Sequence, residues 1–163
     1  MSFYIIIRGP LGCGKSTIAK ALSKRLNAKY FAIDKILEDH NLEEWKEGYI
    51  SEESFSKANE IAAKKARRYL EKGLSAVFDG NFYYKNQIED LIKRLDFPHY
   101  AFTLKAPLNV CIERDSKRKE PHGKDAAEAV YRKSAEFDYG IVINTSKSLN
   151  ECIKEIINCL PKQ

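Results

Sequence analysis

Residues 9 to 16 read Gly-Pro-Leu-Gly-Cys-Gly-Lys-Ser, a Gly-x-x-x-x-Gly-Lys-Ser spacing that follows directly on the apolar run Tyr4 to Ile7. Those residue types in that order suit one chemistry, the cradling of a polyphosphate. Glycines let the backbone curl until consecutive N–H groups face the β-phosphate, and Lys15 reaches the β- and γ-phosphates. The Ser16 hydroxyl suits Mg²⁺. Thr17 to Leu26 then carries Ile18, Ala21, Leu22 and Leu26 at helical spacing, so the phosphates would meet a helix N-terminus. The segment predicts binding of ATP with Mg²⁺ through Gly9, Gly12, Cys13, Gly14, Lys15, Ser16 and Thr17. Cys13 is expected beside the phosphates, where bound nucleotide would shield its thiol from alkylation.

Further candidates follow the other apolar runs. Asp34 comes after Lys29 to Ile33, Asp79-Gly80-Asn81 after Ser75 to Phe78, Lys105-Ala106-Pro107 after Tyr100 to Leu104, and Asn144-Thr145-Ser146 after Ile141 to Ile143. Asp34 sits where a carboxylate could accept the proton of an attacking hydroxyl, or where it could N-cap the next helix. Asp79 occupies the place of a metal-associated aspartate and is expected to share Mg²⁺ with Ser16. It is followed by Gly80 rather than by the glutamate with which hydrolysing ATPases polarise water, and no Asn-Lys-x-Asp guanine reader is present.

From Leu108 to about Ser116 the pattern is helical, with Arg114 and Arg118 four residues apart and a Pro/Gly-containing polar stretch beyond. This predicts a lid at about 116–126 whose guanidinium groups would neutralise a transferring phosphoryl group and expel water. Asn41 to Ile50, with Trp45 and Tyr49, reads as a wall of an acceptor site or as a packed surface loop. Phe82, Tyr83 and Tyr84 read as a stack for a base or sugar, or as core.

Those groups need elements to hold them. The apolar runs alternate with helical patterns, which predicts an α/β architecture: a three-layer, doubly wound, parallel five-stranded sheet with helices on both faces. Ligands of such sheets lie beyond the carboxyl ends of the strands, where the candidates cluster. The longest helical pattern is Glu52 to Lys72, closed by Gly73; opposite its apolar face it carries Lys57, Lys64, Lys65, Arg67 and Arg68, a solvated face or a phosphate-backbone footprint. The 163 residues predict a single domain, 1–163. The net charge of +5 fits anionic ligands in general without requiring nucleic acid. Cys13, Cys111, Cys152 and Cys159 form no C-x-x-C pair, and His40, His99 and His122 are scattered, so reduced thiols in a cytoplasmic protein are expected. No run approaches 18 apolar residues, so no membrane span is expected.

Taken together, the motifs resemble the small P-loop kinases of the nucleoside-triphosphate hydrolase superfamily, most closely the kinase domain of phage-type 5′-hydroxyl polynucleotide kinases. Besides the P-loop, the likeness rests on Asp34, on Asp79-x-Asn81, and on Arg114-x-Ser116-Lys117-Arg118 followed by Asp125 and Tyr131-Arg132. It implies Lys15, Arg114 and Arg118 at the transition state, Ser16 on the metal side, Asp34 as base, and Asp79 and Asn81 near the acceptor. The chain departs from that group beside Asp34, where Ile33 precedes and Lys35-Ile36-Leu37-Glu38 follows in place of its basic residues. Gluconate-type, shikimate-type and antibiotic-modifying kinases share the skeleton. The expectation is a phosphotransferase acting on a hydroxyl, whether a nucleic-acid 5′-hydroxyl or a small nucleoside, sugar or hydroxy acid. The competing expectation is a nucleotide-binding regulatory protein with no acceptor.

Overall fold

In the computed structural model, which describes residues 1–162, the strands are β1 (Tyr4–Arg8), β2 (Lys29–Ala32), β3 (Trp45–Lys46), β4 (Tyr49–Ile50), β5 (Ala76–Asp79), β6 (His99–Lys105) and β7 (Ile141–Asn144). The helices are α1 (Lys15–Arg25), α2 (Ile33–Asp39), α3 (Glu52–Leu70), α4 (Lys85–Arg94), α5 (Leu108–Ser116), α6 (Lys124–Ser134) and α7 (Leu149–Asn158). Five strands pair in parallel in the order β2-β5-β1-β6-β7. This is the expected three-layer sheet, and β1 lies at its centre with every residue buried.

The near-continuous apolar character of β1 follows from burial on both faces. Tyr4 and Ile6 point into a core with Phe78, Phe55 and Leu91 beneath α3 and α4, whereas Ile5 and Ile7 point into a core with Val77, Phe102 and Leu22 beneath α1 and α7. The edge strands β2 and β7 are correspondingly more exposed. Register sets the level of the site: Asp79 pairs with Ile7 on one side and Ala32 on the other, so the residues after β1, β2 and β5 emerge together at one sheet edge.

Two boundaries differ from expectation. The second apolar run ends as a strand at Ala32, and Ile33, fully buried, already opens α2; Ala32 is its N-cap in an extended conformation. The long helix stops at Leu70, and Gly73, at φ 82°, closes it with an N–H bond to the Leu70 carbonyl. At its other end Ser51 caps the Ser54 N–H at 3.2 Å. The segment from Asn41 to Ile50 makes the β3–β4 hairpin, turned by Glu47 and Gly48, both at positive φ. No helix among the described residues is long and apolar enough to cross a membrane.

Candidate active site

β1 delivers the chain into the glycine loop, and the loop's shape explains its composition. Gly12, at φ 75°, lies so close to the α5 backbone that a Cβ there would fall 2.2 Å from the Cys111 carbonyl oxygen. Gly14, in a left-handed conformation, is the N-cap of α1. The loop and α1's first turn open onto a cleft of about 730 Å³, within the range of nucleotide-sized ligands. Gly12, Cys13, Gly14, Lys15, Ser16, Thr17, Asp34, Asp79, Arg114 and Arg118 all line it, which brings most of the sequence candidates to one place. Gly9 does not reach this cleft. It is packed instead beneath the loop, where a Cβ would meet the Cys13 sulfur at 2.8 Å and the Leu104 carbonyl at 2.9 Å.

Lys15 is buried and its ammonium donates to the Pro10 carbonyl at 2.7 Å. The Ser16 hydroxyl donates to Asp79 Oδ2 at 2.8 Å, and the Tyr30 hydroxyl donates to the same oxygen at 2.6 Å. Burial, and then the Asp79 carboxylate, pushes the Tyr30 phenol well above its ordinary range. A serine hydroxyl and a carboxylate at a helix N-terminus are hard oxygen donors of the kind Mg²⁺ takes when phosphates and water supply the rest, so the donor set fits that ion.

Asp34 is in the first turn of α2, one residue past Ile33, and makes no cap; the capping alternative is removed because Ala32 holds that position. The residue is exposed and lines the cleft, whose walls take part of the hydration from its carboxylate. That desolvation raises its pKa above the ordinary aspartate range, with Asp79 and Glu43 adding and Lys15 and His122 opposing.

Arg114 and Arg118 are held differently. Arg114 donates to the Cys13 carbonyl (3.4 Å), to Thr145 Oγ1 (3.4 Å) and to the Thr145 carbonyl (2.9 Å), clasping the glycine loop to the chain after β7. Arg118 lies on the exposed stretch between α5 and α6, with Nη1 3.0 Å from His122 Nδ1 and 3.8 Å from Asp115. This stretch is shorter than the expected lid, because α5 runs to Ser116 and α6 begins at Lys124.

Three expectations change. The Cys13 thiol is fully buried, points into the core with Ile18 and Ala19, and is raised in pKa by that burial, so only the backbone of Cys13 faces the cleft. Asn81 is buried outside the cleft lining, and its Oδ1 has no hydrogen-bond partner. The Asn41–Ile50 hairpin does not line the cleft: Trp45 is exposed, and Tyr49 packs against Tyr83. Phe82 and Tyr83 are buried, in agreement with the core alternative.

Two residues that line the cleft, Tyr30 and Thr145, and two buried residues that brace its surroundings, Arg8 and Asp115, escaped the sequence reading of roles. Thr145 lay in a stretch singled out only by position, and Asp115 stood unassigned between residues of the lid. Arg8 and Tyr30 carried no signal, because an arginine just after an apolar run and a tyrosine within one are ordinary until the fold gives them partners.

The fold and glycine loop define an α/β protein with the architecture of the small P-loop kinases. Over residues 5–137 the chain matches the family model described as AAA domain, and it belongs to that family. Among solved structures it is similar to a sugar kinase from Janibacter sp. HTCC2649 (TM-score 0.79, 17% identity, covering 97% of this chain and 94% of that one). A gluconokinase from Sinorhizobium meliloti 1021 matches with TM-score 0.74, 14% identity and coverage of 95% and 89%. The APS kinase of Mycobacterium tuberculosis, in complex with AMPPNP and APS, matches with TM-score 0.71, 15% identity and 96% coverage of each chain. No curated protein matches the chain. The likeness to polynucleotide kinases rests on the sequence motifs alone.

Proposed function

We propose that the protein is an ATP- and Mg²⁺-dependent phosphotransferase that moves the γ-phosphoryl group of ATP to an acceptor hydroxyl. The observation that carries this reading is the presence of Asp34 in the same cleft as Lys15, Ser16, Asp79, Arg114 and Arg118. A protein that only bound nucleotide would need neither a carboxylate facing the phosphate loop nor lid arginines. In this account the loop N–H groups and Lys15 hold the β- and γ-phosphates, and Asp34 accepts the acceptor's proton as its oxygen attacks phosphorus in line. Arg114, and Arg118 from the lid, meet charge developing on the transferred group. Ser16 and Asp79 would hold Mg²⁺, which when bound would neutralise phosphate oxygens.

Two acceptor classes fit. A small polar alcohol is supported by the fold's similarity to structures described as sugar kinase, gluconokinase and APS kinase. A nucleic-acid 5′-hydroxyl is supported by a second groove of about 570 Å³ that shares Tyr30, Ala32 and Lys35 with the cleft. That groove is lined further by Lys29, Lys65, Arg68 and Lys72, with no carboxylate in its lining.

The test is γ-labelled ATP offered with sugars, hydroxy acids, nucleosides and 5′-hydroxyl oligonucleotides. The reading predicts one labelled organic product, lost in Lys15→Met. Label appearing only as inorganic phosphate, at a rate no acceptor changes, would contradict it.

A further inference from the structure

Helix α6 is fastened at both ends by buried charges of opposite sign, each next in sequence to a residue of the phosphate site. At its start, Asp115, 1% exposed, accepts from the Gly123 N–H on Oδ2 (3.0 Å) and from the His122 N–H (3.3 Å) and His122 Nδ1 (3.0 Å) on Oδ1. Burial alone would raise the Asp115 carboxyl, but these hydrogen bonds outweigh it and hold the pKa below the ordinary range. At the other end Arg8, 0% exposed, donates from Nη2 to the Ser134 carbonyl and from Nη1 to the Phe137 carbonyl, both at 3.1 Å, and lies over the Phe137 ring at 4.3 Å. Its remaining bonds go to Thr103 Oγ1 and, from Nε, to the Phe82 carbonyl, again at 3.1 Å.

The signs match the helix dipole: a carboxylate faces the electropositive N-terminal end, and a guanidinium faces carbonyls at the C-terminal end that have no partner within the helix. Arg8 has no carboxylate within salt-bridge distance among the described residues, and burial lowers its pKa to about 10. An unpaired cation is costly to bury, so its retention calls for a task. The neighbours in sequence supply one. Arg8 immediately precedes Gly9 of the phosphate loop, and Asp115 immediately follows Arg114, which grips Cys13 of that loop. Phe82, whose carbonyl Arg8 holds, is a bulky residue at φ 43°, strain that needs such an anchor.

We propose that Arg8 and Asp115 are positioning residues that make α6 a fixed strut between the foot of the phosphate loop and the far hinge of the lid. Lid motion is then confined to residues 117–121, between anchored Asp115 and the anchored pair His122 and Gly123, and it carries Arg118 to a defined place in the cleft. The inference rests on the phosphotransfer reading only in what the lid closes over.

The test is hydrogen exchange on the full chain, with Mg²⁺·AMPPNP affinity and turnover measured alongside. In Asp115→Asn, protection of the α6 amides Ala127–Ser134 should fall by about tenfold or more, the fold-change that goes with losing a charge-assisted hydrogen bond. Protection in β1 and α3 should stay unchanged, AMPPNP affinity should hold within about twofold, and turnover should fall by about tenfold or more because Arg118 is misplaced. Arg8→Met should loosen the same amides, and the double variant should lose less than the sum of the single losses because both residues act through one helix. If Arg8→Met does not fold, Arg8→Lys, which keeps the charge and loses the fork, replaces it and should loosen α6 to a smaller degree. Unchanged α6 protection in Asp115→Asn would overturn the proposal. So would a loss shared equally by β1, α3 and α6. Exchange and AMPPNP binding require no acceptor, so they test the strut even if no acceptor is ever found, an outcome that would count against the phosphotransfer reading alone.

Discussion

Arg114 and Arg118 are four residues apart on a helical pattern, yet the fold gives them separate surroundings, and their substitutions should separate accordingly. Arg114 is already bonded to the Cys13 carbonyl and Thr145, so Arg114→Ala should weaken ATP binding and lower the melting temperature as well as slowing turnover. Arg118 is exposed, so Arg118→Ala should cut turnover by roughly 10² while leaving ATP affinity and melting unchanged. Equal effects of the two variants on ATP affinity would contradict this assignment. Cys13 should resist alkylation in the folded protein with or without nucleotide, because its thiol is buried, and mass spectrometry of the labelled chain reads this directly. Asp34 has the clearest pH signature. Desolvation by the walls of the cleft raises its pKa above the ordinary aspartate range. Turnover of the parent protein should fall on the acid side at a higher pH than an ordinary aspartate would give.

At the scale of elements, the glycine loop shows how closely sequence and packing are tied. Gly12→Ala places a methyl group against the Cys111 carbonyl at a position with φ 75°, and urea unfolding should show a loss of at least about 2 kcal/mol. The central strands β1 and β5 were legible because burial on both faces leaves uninterrupted apolar runs, and α5 because its pattern from Leu108 to Ser116 is plainly helical. The start of α2 was not. Ile33 continues the apolar run of β2 by type, and only the tertiary turn at Ala32 makes it the first helical residue. The burial of Asn81 was equally hidden, since it is set by the path of the chain after β5, where the Phe82 carbonyl accepts from Arg8. The ends of the lid were hidden too, because Asp115 accepts from the N–H of Gly123, the N-cap of α6 eight residues on, a bond that no local pattern announces.

At the scale of the whole molecule, topology brings the loops after β1, β2 and β5 to one edge, with β1 at the centre of the sheet and the phosphate loop at its end. The net charge of +5 is unevenly spread, and Lys29, Lys65, Arg68 and Lys72 gather in the groove beside the cleft. If that groove tracks a nucleic-acid backbone, the double charge reversal Lys65→Glu with Arg68→Glu should raise KM for a 5′-hydroxyl oligonucleotide at least about tenfold. It should also flatten the dependence of KM on salt and leave KM for ATP unchanged. An unchanged oligonucleotide KM leaves the small polar alcohol as the acceptor class. The measurement closest to the central claim is single-turnover transfer of γ-labelled phosphate to the acceptor, compared between the parent protein and Asp34→Asn at saturating ATP. The account predicts a fall of about 10² to 10⁴ in the transfer rate with ATP affinity preserved. Full transfer by Asp34→Asn would contradict it.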